Sequence, residues 1–150
     1  MKLESNLAME RPTFVTHLEC SLTGERYEAD RLQGLSKAGR PLLVRYDLAA
    51  AGKALTRAML KQREPDFWRY RELLPVRKRQ NIVSLGETMT PLIALAKSAK
   101  ELGAGEILVK DEGRLPTGSF KARGLAVAIC MAKELGVSRA AMPTNPGPAR

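Results

Sequence analysis

The run Leu115-Pro116-Thr117-Gly118-Ser119-Phe120-Lys121-Ala122-Arg123-Gly124 constrains this chain more than any other. Pro116 has no backbone N–H to donate, and Gly118 admits backbone angles that a side chain forbids, so the run opens as a tight turn. Ser119 is placed to cap a first helical turn with its hydroxyl. Lys121 then stands at the mouth of a helix whose body, residues 125–132, is apolar on nearly every face. A helix of that kind is expected to be buried. A lysine fixed at a rigid strand-to-helix junction suits chemistry that needs one amine in one place. An amine condenses with an aldehyde only when unprotonated, and partial desolvation pushes lysine toward that state. Schiff-base formation is therefore one reading of Lys121. For the residue alone, a solvated lysine at a helix start is the plainer one.

The rest of the chain divides into three regions before this one. Residues 1–12 show no period and few large apolar side chains, which predicts a flexible arm. Residues 13–47 predict short strands over 13–18, 26–28 and 42–46, with Thr23-Gly24 as a hairpin turn. Residues 48–80 predict one helix over 48–62, weakened near its start by Gly52 and ended by Pro65. A basic connector follows, anchored by Trp68, Tyr70, Leu73 and Leu74. Trp68 is the only tryptophan and is expected to pack the N-terminal part against the main domain. From residue 81 to 150 the spacing becomes the β-α-β rhythm of a parallel sheet. Pro91 is expected to open a helix that Gly103 closes, residues 106–109 to form a buried strand, and Gly136 to end the lysine helix. A further strand is expected over 139–143, parallel to 107–109 by the right-handed crossover rule. Ligands of open sheets bind at the carboxyl ends of the strands, where Lys121 and the Thr144-Asn145 turn both fall.

Composition limits the function classes. The 150 residues contain no apolar run long enough for a membrane span, and residues 1–7 lack the apolar stretch of a secretory signal. Cys20 and Cys130 lie in unrelated settings, so no disulfide framework is expected and the cytoplasm is the default. The formal charge is +9, densest over Arg69, Arg71, Arg77, Lys78 and Arg79. No helix-turn-helix, zinc finger or stacking-aromatic pattern accompanies it, so nucleic acid is not the expected partner. A basic binding module or non-enzymatic fragment stays open as an alternative.

Four ordered motifs carry a resemblance. Pro116-Thr117-Gly118-Ser119-Phe120-Lys121 resembles the pyridoxal-phosphate lysine motif of the threonine synthase family, within the fold type II enzymes related to the tryptophan synthase β subunit. Ser84-Leu85-Gly86-Glu87-Thr88-Met89-Thr90-Pro91-Leu92 resembles that family's LGEG-TPL loop. Val109-Lys110-Asp111-Glu112 resembles its strand leading to the lysine, and Phe67-Trp68-Arg69-Tyr70 with Leu73-Leu74-Pro75 its WRY…LLP segment.

The resemblance implies an α/β fold: a partial three-layer parallel-sheet domain of fold type II, preceded by a small degenerate ribbon-like region. It implies pyridoxal 5'-phosphate as cofactor, held by Lys121 as a Schiff base, with Phe120, Ser119 and Asn145 also at the cofactor. Ser84, Thr88 and Thr90 are implied to meet the substrate, O-phosphohomoserine, which yields L-threonine and phosphate. A threonine dehydratase or another β-eliminating lyase shares the lysine motif and stays open. A homo-oligomer is left open for the full-length enzyme. Relatives often carry a zinc ribbon near residues 13–47, but here only Cys20 of its cysteines is present and Thr23 stands in its partner's place. Zinc needs about four ligands, so a ribbon without metal is expected. The family's turn reads PTNGNAG, whereas this chain continues Pro143-Thr144-Asn145-Pro146-Gly147-Pro148. Gly147 takes the place of the ring-contacting asparagine, and that role is not carried over. The departure inside a motif predicts the N-terminal part of a longer enzyme, cut short and inactive alone.

Overall fold

Strand-forming residues near the N-terminus pair first in the computed structural model, which describes residues 12–141. Strands β1 (Val15–Cys20), β2 (Arg26–Tyr27) and β3 (Leu42–Tyr46) form an antiparallel sheet in the order β2-β1-β3. Gly24 makes the hairpin possible with a φ of +72°, and its N–H reaches the Cys20 carbonyl at 3.0 Å. Cys20 is buried beneath the turn. Its Sγ lies 3.0 Å from the Ser36 hydroxyl and accepts from the Thr23 N–H at 3.5 Å. Those hydrogen bonds, Ser36's foremost, hold the thiol down to about 7.

The expected helix over 48–62 is two helices, α1 (Leu48–Ala54) and α2 (Arg57–Lys61). Thr56 breaks it: extended in backbone, it caps α2 by accepting from the Met59 N–H at 3.2 Å. The connector then winds into a 3-10 helix over Phe67–Leu73. Arg63 clamps it with a two-pronged ion pair to Glu72, at 2.7 and 2.5 Å, with both side chains buried or nearly so. The Phe14 N–H reaches the Glu72 carbonyl at 2.8 Å, so the same turn tethers the N-terminal sheet.

Two expectations for the later half are corrected. Leu92–Ala94 is a strand, β4, and the helix α3 begins only at Ala96 and ends at Glu101. Pairing overrides the helical pattern: β4 lies antiparallel to β5 (Leu108–Lys110), with Leu92 opposite Lys110 and Ala94 opposite Leu108. The Leu95 N–H to Ile107 carbonyl and Asp111 N–H to Pro91 carbonyl bonds extend that ladder at either end. Gly103, at φ +64°, closes α3 as expected. The paired strands among the described residues are therefore antiparallel, not parallel. The connection between β4 and β5 holds only a six-residue helix and a turn, and it reverses the chain instead of carrying it back across the sheet. Residues 139–141 form no strand, and the remainder of the expected strand, like the arm over residues 1–11, lies outside the described residues.

The lysine helix, α4 (Lys121–Glu134), starts and stops where expected. Gly136, at φ +72°, ends it, with the Val137 N–H bonded to the Ala132 carbonyl at 2.8 Å. Its burial departs from expectation. Ala122 and Cys130 are buried, yet Leu125 is 38% and Ile129 42% exposed, and no sheet among the described residues covers that face. What does cover α4 is the connector. Trp68, Val76 and Cys130 form a core cluster, with Phe67, Leu74, Ile82 and Met131 packed against it. The Glu134 carboxylate accepts from the Arg77 and Lys78 N–H groups at 2.8 and 2.9 Å and from Asn81 at 3.1 Å. Removing the indole should empty the centre of this cluster: Trp68→Ala is expected to cost about 3 kcal/mol. Urea denaturation followed by far-ultraviolet circular dichroism measures it, and an unchanged midpoint would refute the indole as the main contact between connector and helix.

Candidate functional site

Leu115 is 3% exposed and anchors the turn before α4. Gly118, at φ +65°, closes that turn with its N–H on the Leu115 carbonyl at 2.7 Å. A side chain at 118 would be strained there. Ser119 then does what its type suggests: its Oγ accepts from the Lys121 N–H at 3.3 Å, and its carbonyl accepts from the Ala122 N–H at 3.1 Å. Lys121 is the first residue of α4 and is exposed, without an ion pair to any carboxylate among the described residues. Phe120, beside it, is 68% exposed.

Loop 84–90 faces the same helix. A cleft of about 220 Å³ lies between them, lined by Val83, Leu85 and Glu87 on one side and by Thr117, Ala122 and Ile129 on the other. Glu87 is 2% exposed. Burial opposes its ionisation, but hydrogen bonds from Ser84 and from backbone N–H groups hold its carboxyl below the usual range. The Ser84 hydroxyl donates to it at 2.5 Å and the Leu85 N–H at 3.2 Å.

The hydroxyls of the three loop residues with an implied substrate role are each engaged within the protein. Ser84 bonds Glu87, Thr88 donates to the Pro65 carbonyl at 3.0 Å, and the buried Thr90 donates to Glu112. Asn145 lies outside the described residues. Three site-forming residues were not singled out from the sequence: Glu87, Glu112 and Arg123. Arg123 donates to Glu112 from Nε at 2.7 Å and from Nη2 at 3.1 Å, and from Nη2 to the Thr88 carbonyl at 3.0 Å. Lys110 adds a bond from Nζ to the Thr90 carbonyl at 3.1 Å. The Arg123 hydrogen bonds, then the Thr90 hydroxyl, hold the Glu112 carboxyl down to about 2. The available signal was a second cation two residues after Lys121 and an acidic pair, Asp111-Glu112, just past a strand.

Residues 83–144 match the family described as pyridoxal-phosphate dependent enzyme. The match covers less than half of the chain. The chain is also similar to threonine synthases: 42% identical over 118 residues to that of Methanocaldococcus jannaschii, covering 79% of this chain and 29% of the relative. The Methanosarcina acetivorans threonine synthase is 36% identical over 126 residues, 83% of this chain and 30% of the relative. That of Halalkalibacterium halodurans is 49% identical over 67 residues, 45% of this chain and 19% of the relative. The chain thus spans less than a third of the length of these relatives. No solved structure matches it significantly. No helix among the described residues is long and apolar enough to cross a membrane.

The depressed carboxyl of Glu112 gives a signed expectation. A carboxylate whose folded pKa lies below its unfolded value stabilises fully above the unfolded value, near 4.5, and loses that contribution as pH falls toward 2. Between about pH 6 and pH 3 the chain should lose on the order of 1 kcal/mol more than Glu112→Gln, after discounting for solvent screening. Urea titrations of both proteins at the two pH values check it; parallel losses would contradict the assignment.

Proposed function

We propose that Lys121 is the attachment point for pyridoxal 5'-phosphate, and that the whole protein is a threonine synthase-like lyase converting O-phosphohomoserine and water to L-threonine and phosphate. One observation carries the reading: an exposed amine without an acidic partner among the described residues, fixed at the first residue of α4 by the Gly118 turn and Ser119. The residues present suit the group. No ion pair among the described residues ties the amine down, and the apolar cleft wall beside Ala122 offers a surface for a planar ring.

In this reading Ser119 orients the lysine through its backbone, and the exposed Phe120 beside it would contact the cofactor, with Asn145 as a further contact. Lys121 Nζ would hold the cofactor, and as a free amine it would move protons at the α, β and γ carbons of the substrate. Pyridoxal phosphate, when bound, supplies the electron sink that stabilises a carbanion next to the substrate nitrogen. Ser84, Thr88 and Thr90 shape the substrate side. Because their hydroxyls are engaged within the protein, we infer that they act by fixing the loop's course more than by direct hydroxyl contact. The similarity to threonine synthases over four-fifths of the chain favours this activity over the dehydratase alternative.

The basic-module alternative loses ground on geometry. Arg77 pairs with Asp30 at 2.9 Å, and Arg69 is bonded to the Leu60 carbonyl, so part of the basic run is spent internally. The test is chemical. Incubation with pyridoxal phosphate, borohydride reduction and peptide mass spectrometry should place the reduced adduct on Lys121, and Lys121→Ala should lose it. Labelling of the variant at the original level would refute the attachment site.

A further inference from the structure

We propose that Arg123 is a positioning residue: through Glu112 it locks loop 84–90 to the first turn of α4 and so fixes where Lys121 stands relative to that loop. The inference rests on the reading of Lys121 as the attachment lysine and assigns it a second residue.

The side chain of Lys121 has no partner among the described residues, so its placement must come from the backbone that carries it. Two residues on, the Arg123 guanidinium, 21% exposed, reaches three separate segments at once. It bonds Glu112, just past β5, through both Nε and Nη2. It bonds the Thr88 carbonyl of the loop through Nη2. It also lies 5.8 Å from the Phe67 ring centre of the connector. Glu112 completes the tie, because beside Lys110 at 3.9 Å it also takes the buried Thr90 hydroxyl at the far end of the same loop. The loop is therefore held at Thr88 by Arg123 directly and at Thr90 through Glu112.

A planar fork with fixed donor directions is what this requires. A lysine at 123 keeps the charge but has one nitrogen, which cannot bond both carboxylate oxygens and the Thr88 carbonyl in that geometry. Catalytic placement is sensitive to errors of an ångström or so, hence a loss of register at the lysine should show before a loss of fold.

The experiment uses the full chain with pyridoxal phosphate as the probe, comparing the natural sequence with Arg123→Lys, Glu112→Gln, the double variant and Thr90→Val. The cofactor concentration for half-maximal borohydride trapping on Lys121 and the melting temperature without cofactor are both read. The expected result is about a tenfold higher half-trapping concentration for Arg123→Lys and for Glu112→Gln. The double variant should lose no more than either alone, and Arg123→Lys should keep its melting temperature to within about 2 °C. Thr90→Val, which removes one hydroxyl from the tie, should shift trapping in the same direction by less. Trapping of Arg123→Lys at the natural concentration overturns the proposal while leaving the attachment reading intact. A trapping loss that merely follows a fall in melting temperature also overturns it, since Arg123 would then be only structural. No trapping on Lys121 in the natural sequence overturns both readings together.

Discussion

The contact between the connector and α4 is what the rest of the molecule hangs on. The cluster of Trp68, Val76 and Cys130 is built from the middle of α4 and from a segment more than 50 residues earlier. The three-stranded sheet is tied to the 3-10 helix by Phe14 and Thr13, whose hydrogen bonds end on Glu72 and Leu74. That 3-10 helix is tied to α4 by Trp68. Cys130 serves twice, filling the core and accepting the Val83 N–H at 3.0 Å, which brings the start of the cleft-forming loop onto the helix. Burial pushes its thiol up, as befits a packing residue.

The two ends of α4 are divided in purpose. Its C-terminal half takes the connector: the Glu134 carboxylate satisfies backbone donors at Arg77 and Lys78 that the irregular chain could not pair by itself. Its N-terminal turn takes loop 84–90 and bears Lys121. Between them, Leu125 and Ile129 remain exposed, as do Leu92, Leu108 and Val109 of the β4–β5 ribbon. A two-stranded ribbon with apolar residues open to solvent is marginal as an isolated unit, so the order around Lys121 depends on side-chain ties more than on a deep core.

What the sequence made legible was local. Gly118, Gly103 and Gly136 each mark a place where positive φ is required, and each falls where a turn or helix end was expected. The span of β3 and the hairpin at Gly24 were legible for the same reason, as was Trp68 as a packing residue. What was hidden depended on partners distant in sequence. Leu92 and Ile93 fit a helix by period and become a strand only because β5 lies alongside. The Thr56 cap splits a helix that the apolar pattern ran through. The burial expected of residues 125–132 came from their apolar pattern alone, and no periodicity within one helix says what lies against it. Glu112 and Arg123 carry ordinary surface-type side chains, and their pairing is set by where β5 delivers the acid.

That pairing raises the question of why the site turns on an ion pair when an apolar contact of the same size would stabilise as well. Taking a carboxylate and a guanidinium partly out of water costs several kcal/mol, and their attraction roughly offsets this. Stability is therefore a poor account of the Arg123–Glu112 bond. Direction is a better one. Apolar side chains tolerate sliding by an ångström or more, whereas a guanidinium that bonds two carboxylate oxygens and a carbonyl admits one arrangement. The ligands it chooses are informative: a main-chain oxygen at Thr88 and an acid that in turn holds Thr90. Both choices restrain the backbone of one loop against the helix that carries the exposed Lys121 amine. An ion pair at this place contributes register where the surrounding apolar packing is too thin to supply it.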